Sequence, residues 1–150
     1  MVFYDTLESP LGQILLAATE RGLSAVAFTD EAPEHHANAI TDRAKHQLQA
    51  YFDNGLRDFT VPIDVQGTAF QRQVWRALAR IPFGQTRAYR DVAEQIGNPK
   101  AVRAVGLANG KNPVAIIVPC HRVIGADGSL TGYASGVDRK AWLLNHEGAL

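Results

Sequence analysis

The chain has 150 residues, of which 46% are hydrophobic, and this suffices for one packed domain or for a small domain joined to a larger one. No apolar stretch approaches the roughly 20 residues that cross a bilayer, and the N-terminus lacks the basic and apolar regions of a signal peptide. A single cysteine excludes an internal disulfide and a cysteine-rich zinc site. We therefore expect a globular, cytoplasmic protein with a free thiol and no membrane partner.

The net charge of zero is the sum of two opposite halves. Residues 1–66 hold 4 Lys and Arg against 10 Asp and Glu, a net charge of −6, and residues 67–150 hold 11 against 5, a net charge of +6. An acidic half joined to a basic half is one sign of nucleic-acid interaction, although ordinary solvated surfaces give the same totals. Charge alone leaves both interpretations open.

The first half predicts a small sheet covered by one helix. Apolar segments at residues 3–7, 13–18 and 23–28 are separated by turns and are typical of an antiparallel meander. Apolar residues at helical spacing predict a helix over residues 34–52. In that helix we expect His35 and His36 to be solvated rather than metal ligands, because no cysteine or spaced acidic partner accompanies them.

Residues 58–67 contain Pro62 and predict a connector, so we place a domain boundary near Gly67. This divides a small α/β domain, residues 1–66, from a second domain, residues 67–150. In the second domain Thr68 is a candidate N-cap for a helix with its apolar face over residues 70–81. The string PFG at 82–84 ends that helix.

Two further short helices follow. One is predicted over residues 88–96, with Gly97 suited to its left-handed end. Another is predicted over residues 100–109, with Asn98 as its cap and Pro99 at its first position. The turn of about three residues between them is typical of a helix-turn-helix, although many such helix pairs are only packing units.

Cys120 lies in PCHRV at residues 119–123, after the apolar run 114–118, which predicts a buried strand. Because the thiolate is the nucleophile, His121 and Arg122 beside it predict a pKa lowered from the roughly 8.5 of a free cysteine. The alternative is an inert buried cysteine. Two basic side chains at a strand end favour a reactive thiol.

PCHRV resembles the active-site signature of the O6-alkylguanine-DNA alkyltransferases, also called methylated-DNA–protein-cysteine methyltransferases. Further strings match the same family in the same order: GNPK at 97–100, AVG at 104–106, NP at 112–113, GY at 132–133 and WLLNHEG at 142–148. The resemblance implies an α/β (α+β) fold, with a small sheet-plus-helix domain before a mostly helical, DNA-binding helix-turn-helix domain. It also implies direct DNA repair, in which the alkyl group of O6-alkylguanine passes irreversibly to Cys120 without a cofactor.

The resemblance assigns catalytic roles as well. Cys120 is the nucleophile, a bridging water links it to His121, and Glu147 orients the histidine in a relay that parallels hydrolase triads. Tyr89 matches a tyrosine that crowds the phosphate beside the target and donates to N3 of the base. A satisfied core tyrosine at position 89 and a surface glutamate at position 147 are the alternatives, and Arg122 is better interpreted as a structural salt-bridge partner.

Other matching positions are implied to bind DNA. The recognition helix enters the minor groove, and Arg103 fills the gap left by the flipped nucleotide. The small residues Ala101 and Ala104 let the backbone approach, although burial against another helix explains them equally well. The resemblance also implies that two parts of the chain contact the base edge. They are the backbone around Val123 and the loop of Tyr133, Ala134 and Ser135.

Asn112 is implied to tie that loop to the active-site turn, or else it caps a turn. Some relatives carry Ser where this chain has Ala134, so only backbone groups can contact O6 there. Some members of the family carry a zinc site, but this chain lacks the cysteines that would form it. We therefore expect no metal.

The implied partner is double-stranded DNA that contains O6-alkylguanine, with O4-alkylthymine as an open second substrate. A monomer is expected, and cooperative assembly on DNA is left open. Cys120 separates the chain from alkyltransferase-like proteins, which replace that cysteine and only recognise damage. A damage sensor without chemistry and a cysteine hydrolase remain as rival functions.

Overall fold

The computed structural model describes all residues, Met1–Leu150. The fold is mixed α/β, as predicted, and the chain divides into two compact units, Met1–Gln66 and Gly67–Leu150. No helix is both long enough and apolar enough to cross a bilayer.

The first unit contains the predicted antiparallel sheet of three strands. Strands β1 (Phe3–Ser9), β2 (Gly12–Ala18) and β3 (Leu23–Phe28) lie in sequence order, with Ser9 opposite Gly12 and Ile14 opposite Phe28. Helix α1 (Ala39–Phe52) packs on the sheet and buries Ala44, Leu48 and Tyr51.

Helix α1 begins five residues after the predicted start at residue 34. The side chains of Asn38 and Thr41 form a capping box that fixes the start at Ala39. The residues before it are extended, and His36 pairs with Tyr4 of β1 through backbone hydrogen bonds of 2.7 and 3.1 Å. The prediction that His35 and His36 lie in a helix is therefore wrong, and His35 instead approaches Asp5 at 3.6 Å.

The second unit holds the remaining four helices. Helix α2 (Ala69–Leu78) starts at the predicted cap Thr68, whose hydroxyl accepts the Gln71 N–H at 3.1 Å. Helices α3 (Tyr89–Gln95) and α4 (Val102–Gly110) form the predicted helix pair, and Gly97 adopts the expected positive φ of 79°.

The start of α4 differs from the prediction. Asn98 does not cap it, because its carbonyl closes a turn with the Ala101 N–H at 3.0 Å, and Ala101 becomes the cap residue. The connection between α3 and α4 is therefore residues 96–101 rather than about three residues. Pro99 lies inside that turn.

The apolar run before Cys120 is buried, as predicted, but it is not a strand. Residues 114–118 form consecutive tight turns, in which Val118 N–H donates to the Val114 carbonyl at 3.0 Å. The strands of this unit are instead two short parallel segments, β4 (Arg87–Ala88) and β5 (Val123–Ile124). Helix α5 (Val137–His146) follows and contributes Leu143 and Leu144 to the core.

Candidate active site

Cys120 opens a short 3-10 turn, Cys120–Arg122, and only 6% of the residue is exposed. The turns before it force Ile116 to a φ of 70°, which is rare for a β-branched residue and costs on the order of 1–3 kcal/mol. Ile116 is itself buried, so surrounding packing holds this conformation. The thiol is therefore positioned by a strained, densely packed turn rather than by a strand end.

Asn112 holds this turn together. Its amide nitrogen donates to the carbonyls of Val118 at 2.8 Å and Val114 at 3.3 Å, and its amide oxygen accepts the Val114 N–H at 3.0 Å. The side chain thus stabilises the active-site turn and forms the local turn that was the alternative interpretation, but its hydrogen bonds do not reach the loop of Tyr133 to Ser135.

His121 and Glu147 form a direct, fully buried pair. The distance from His121 Nε2 to Glu147 Oε2 is 2.8 Å, and neither side chain has exposed surface. The alternative of a surface glutamate at position 147 is therefore wrong. Because an ionised carboxylate only accepts hydrogen bonds, Nε2 carries the proton in this pair. His121 Nδ1 is buried with no partner, and in the neutral imidazole it is a lone pair ready to accept a proton.

Arg122 forms the structural salt bridge that the sequence favoured. Its guanidinium donates hydrogen bonds to both carboxylate oxygens of Glu147, with Nε 2.7 Å from Oε1 and Nη2 2.9 Å from Oε2. Nη1 donates to the carbonyl of Ile81 at 2.7 Å, just after α2. Although burial alone raises the pKa of the Glu147 carboxyl, the hydrogen bonds from His121 and Arg122 and the charge of Arg122 lower this pKa to about 2.

The prediction that neighbouring basic residues lower the pKa of Cys120 is wrong for the resting site. Burial raises the pKa of the thiol, and the hydrogen bond from Asn112 and the charge of Lys140 offset only part of this effect. Burial likewise lowers the pKa of His121, against the attraction of Glu147. The resting pair is thus a thiol beside a neutral imidazole, and the thiol must lose its proton during the reaction.

Lys140 is a functional candidate that the sequence analysis missed. The residue is fully buried on α5, and its ammonium donates to the carbonyls of Val123 at 2.5 Å and Thr131 at 2.8 Å. Burial lowers its pKa to about 8, against the opposing pull of Cys120. A signal was present, since Lys140 precedes Leu143 and Leu144 by three and four residues and so shares their apolar helix face.

Asn109 was missed as well. It is buried on α4, and its amide nitrogen donates to the Cys120 carbonyl at 3.4 Å. Its amide oxygen has no partner. The side chain connects the second helix of the pair directly to the active-site turn.

Two of the predicted base-reading residues, Tyr89 and Val123, lie beside the same lysine. The Tyr89 hydroxyl donates to the Thr131 carbonyl at 3.0 Å, and Lys140 Nζ lies 6.0 Å from the centre of the Tyr89 ring. Burial raises the pKa of Tyr89. Tyr133 is buried with an unpartnered hydroxyl, Ala134 is exposed and Ser135 is half-buried. Val123 is buried, and Lys140 occupies its carbonyl.

Helix α4 presents the predicted DNA-facing residues to solvent. Arg103 and Ala104 are exposed and Ala101 is half-buried, so burial against another helix does not explain Ala104. Gly106 lies against the Tyr89 ring, where a methyl group would meet ring carbons at 3.9 and 4.0 Å. The helix pair and the thiol site are thus contiguous.

The sequence matches two family domains that together span nearly the whole chain. Residues 69–149 match the DNA binding domain of 6-O-methylguanine DNA methyltransferase, and residues 2–65 match its ribonuclease-like domain. The methylated-DNA–protein-cysteine methyltransferase of Methanosarcina acetivorans is 52% identical, with 99% of each chain covered.

Solved structures agree with the sequence match. The crystal structure of Mycobacterium tuberculosis O6-methylguanine methyltransferase superposes with a TM-score of 0.90 at 48% identity, covering 99% of this chain and 94% of that one. A structure of the same organism's OGT in complex with DNA gives a TM-score of 0.89 at 47% identity, covering 98% of this chain and 93% of that one. With this coverage and a buried Cys–His–Glu arrangement, the chain belongs to the 6-O-methylguanine DNA methyltransferase family.

Proposed function

We propose that this chain repairs DNA directly by transferring the alkyl group of O6-alkylguanine to the sulfur of Cys120. The observation that carries the proposal is the unpartnered lone pair of His121 Nδ1, set by the Nε2–Glu147 hydrogen bond and next in sequence to a free, buried thiol. Both the base, His121, and the thiol of Cys120 are buried. This arrangement is consistent with a nucleophile that is activated only when a substrate enters the site.

The transfer is a single in-line displacement. The thiol proton passes through one water molecule to His121 Nδ1, and the sulfur forms a bond to the alkyl carbon while the carbon–O6 bond breaks. The released electron pair stays on the guanine, which takes one proton from the Tyr89 hydroxyl. Solvent then returns a proton to Tyr89 and removes the one held on His121 Nδ1. A thiol and an alkylguanine thus become a thioether and a guanine. Because a thioether is not hydrolysed, each molecule acts once.

The damaged base must first leave the duplex, at a cost of a few kcal/mol. The exposed Arg103 on α4 offsets part of this cost by filling the gap in the stack, while the close approach of Ala101 and Ala104 permits minor-groove entry. The backbone around Val123 and the loop of Tyr133, Ala134 and Ser135 then read the base edge, and Asn112 keeps the turn beneath them in place.

The test is intact-protein mass with peptide mapping after incubation with duplex DNA containing one O6-methylguanine. We expect a gain of one methyl group per molecule, confined to Cys120, and none with undamaged duplex. The control Cys120→Ser should bind the damaged duplex and gain nothing. Lesion-selective binding without a mass gain would instead identify a damage sensor, and turnover of an acyl substrate would identify a hydrolase.

Finer properties belong to the same proposal. We expect a monomer, measurable by sedimentation with and without DNA, and duplex DNA with O6-alkylguanine as the substrate. A cytoplasmic location follows from the need of Cys120 for a reducing compartment. Cell fractionation would check it.

A further inference from the structure

The charge of Arg122 is committed to a neighbour that the proposed reaction uses. Both oxygens of Glu147 accept from this guanidinium, and Oε2 also accepts from His121 Nε2. Arg122 is held from the far side by the Ile81 carbonyl, and 7% of its side chain is exposed. Arginine, glutamate and histidine therefore form one buried cluster that shares a single carboxylate.

The net charge of this cluster depends on Arg122 and on the protonation state of His121. With a neutral imidazole, Arg122 and Glu147 cancel, and the buried cluster has no net charge. A proton on His121 would leave one uncompensated positive charge on side chains that have no exposed surface, which is costly. Without Arg122 the preference for a neutral imidazole reverses. Glu147 beside a neutral imidazole would then be an uncompensated negative charge, and a proton on His121 would cancel it.

We propose, on the basis of the proposed alkyl transfer, that Arg122 is a positioning residue that neutralises Glu147 and so keeps His121 uncharged until Cys120 supplies the proton. Glu147 then orients the imidazole through Nε2 without drawing a proton from solvent. Proton transfer from the thiol leaves a thiolate with the imidazolium, so the whole group stays neutral as the sulfur attacks. Arg122 thus acts on the reaction through Glu147, without touching substrate.

Other charged groups around His121 favour the same state. Lys140 on α5 lowers the pKa of His121, as does the charge of Arg122, while burial is the largest cause of the lowering and Glu147 alone opposes it. The Cys120 thiol is the remaining titratable neighbour in the turn, and burial keeps it protonated at rest. Removal of Arg122 therefore takes away one of the charges that disfavour a proton on His121 and leaves the charge of Glu147 without its counter-charge.

The test measures the pKa of His121 by NMR on histidine-labelled protein without substrate, in parallel with single-turnover alkyl transfer from free O6-methylguanine base. We expect Arg122→Met to raise the pKa of His121 by about 1 to 2 pH units, since one unpaired opposite charge remains in contact. The acid limb of the pH–rate profile should move to higher pH by a similar amount. Arg80→Met, which removes an exposed arginine, is the matched control and should change neither value.

A double variant separates charge from structure. Arg122→Met with Glu147→Gln removes both charges, so the pKa of His121 should fall back below that of Arg122→Met. Arg122→Lys keeps the positive charge but loses the bidentate hydrogen bonds to Glu147. The pKa of His121 should therefore stay low while the alkyl-transfer rate falls. An unchanged pKa in Arg122→Met, or an equally raised pKa in the double variant, would overturn the proposal.

The proposal stays testable where Arg122→Met does not fold. Glu147→Gln alone leaves Arg122 charged beside His121, so its His121 pKa should lie below that of the double variant, and equal values would refute the role of Arg122. Failure of the proposed function is seen separately, as a wild-type protein whose Cys120 gains no alkyl group. The NMR comparison needs no substrate and decides the role of Arg122 in either case.

Discussion

Acidification should remove a defined part of the stability of the second unit through Glu147. Burial raises the pKa of this carboxyl, but three hydrogen bonds from His121 and Arg122, together with the charge of Arg122, outweigh it and lower the pKa from 4.5 to about 2. Because the folded pKa lies below the unfolded one, the stabilisation is complete above pH 4.5 and is lost as the pH falls to about 2. At about 1.4 kcal/mol per pH unit, this difference amounts to about 3 kcal/mol.

The assay is urea unfolding at a series of pH values, followed by tryptophan fluorescence. Both tryptophans, Trp75 and Trp142, lie in the second unit, so the signal reports on that unit. The reference is Arg122→Met with Glu147→Gln, which removes the titrating group without leaving a buried charge unpaired. Wild type should lose about 3 kcal/mol more than the reference between pH of about 5 and about 2. Equal losses would refute the assignment of this stability to Glu147.

Three further predictions concern the surroundings of the site. Gly132→Ala should destabilise by about 1–2 kcal/mol through its positive φ and slow alkyl transfer, because the new methyl carbon would lie 2.9 Å from the Tyr89 hydroxyl. Gly128→Ala has a similar φ and open space, so equal transfer rates in the two variants would exclude the clash with Tyr89. Asn112→Ala should cost about 2–3 kcal/mol in urea unfolding through the loss of its three hydrogen bonds, whereas Asn145→Ala, which removes one exposed bond, should cost less than about 1 kcal/mol. Arg103→Ala should slow repair of duplex DNA about tenfold or more while sparing transfer from the free base, and an unchanged duplex rate would remove its role in nucleotide flipping.

Local chemistry explains which elements were predictable. The three strands and the start of α2 follow from alternation and from the Thr68 cap, which act within a few residues. The start of α1 was placed too early because apolar spacing continues before Asn38, while the capping box and the pairing of His36 with Tyr4 decide the boundary. Residues 114–118 have the composition of a buried strand, but the hydrogen bonds of Asn112 fold them into turns.

The site was predictable where its residues are adjacent in the sequence. It was not predictable where a property depends on groups that are distant in the sequence. PCHRV identifies the thiol and its histidine, and the family resemblance adds Glu147. The direction of the Cys120 pKa could not be read from adjacent basic residues, because Arg122 reaches 25 residues along the chain to Glu147 and its charge is neutralised there. Lys140 was missed because a buried lysine is uncommon and only its position on an apolar helix face indicates one.

The Thr131 carbonyl accepts from two donors, the Tyr89 hydroxyl and the Lys140 ammonium. A carbonyl oxygen has two lone pairs, so it stays satisfied by Lys140 when Tyr89 turns away. In the proposed reaction, the departure of the hydroxyl toward a guanine therefore leaves this carbonyl with a hydrogen-bond donor still in place. Lys140 thus makes the hydroxyl of Tyr89 exchangeable: it is held in a fixed place without DNA and can be transferred to a base at little cost to the protein.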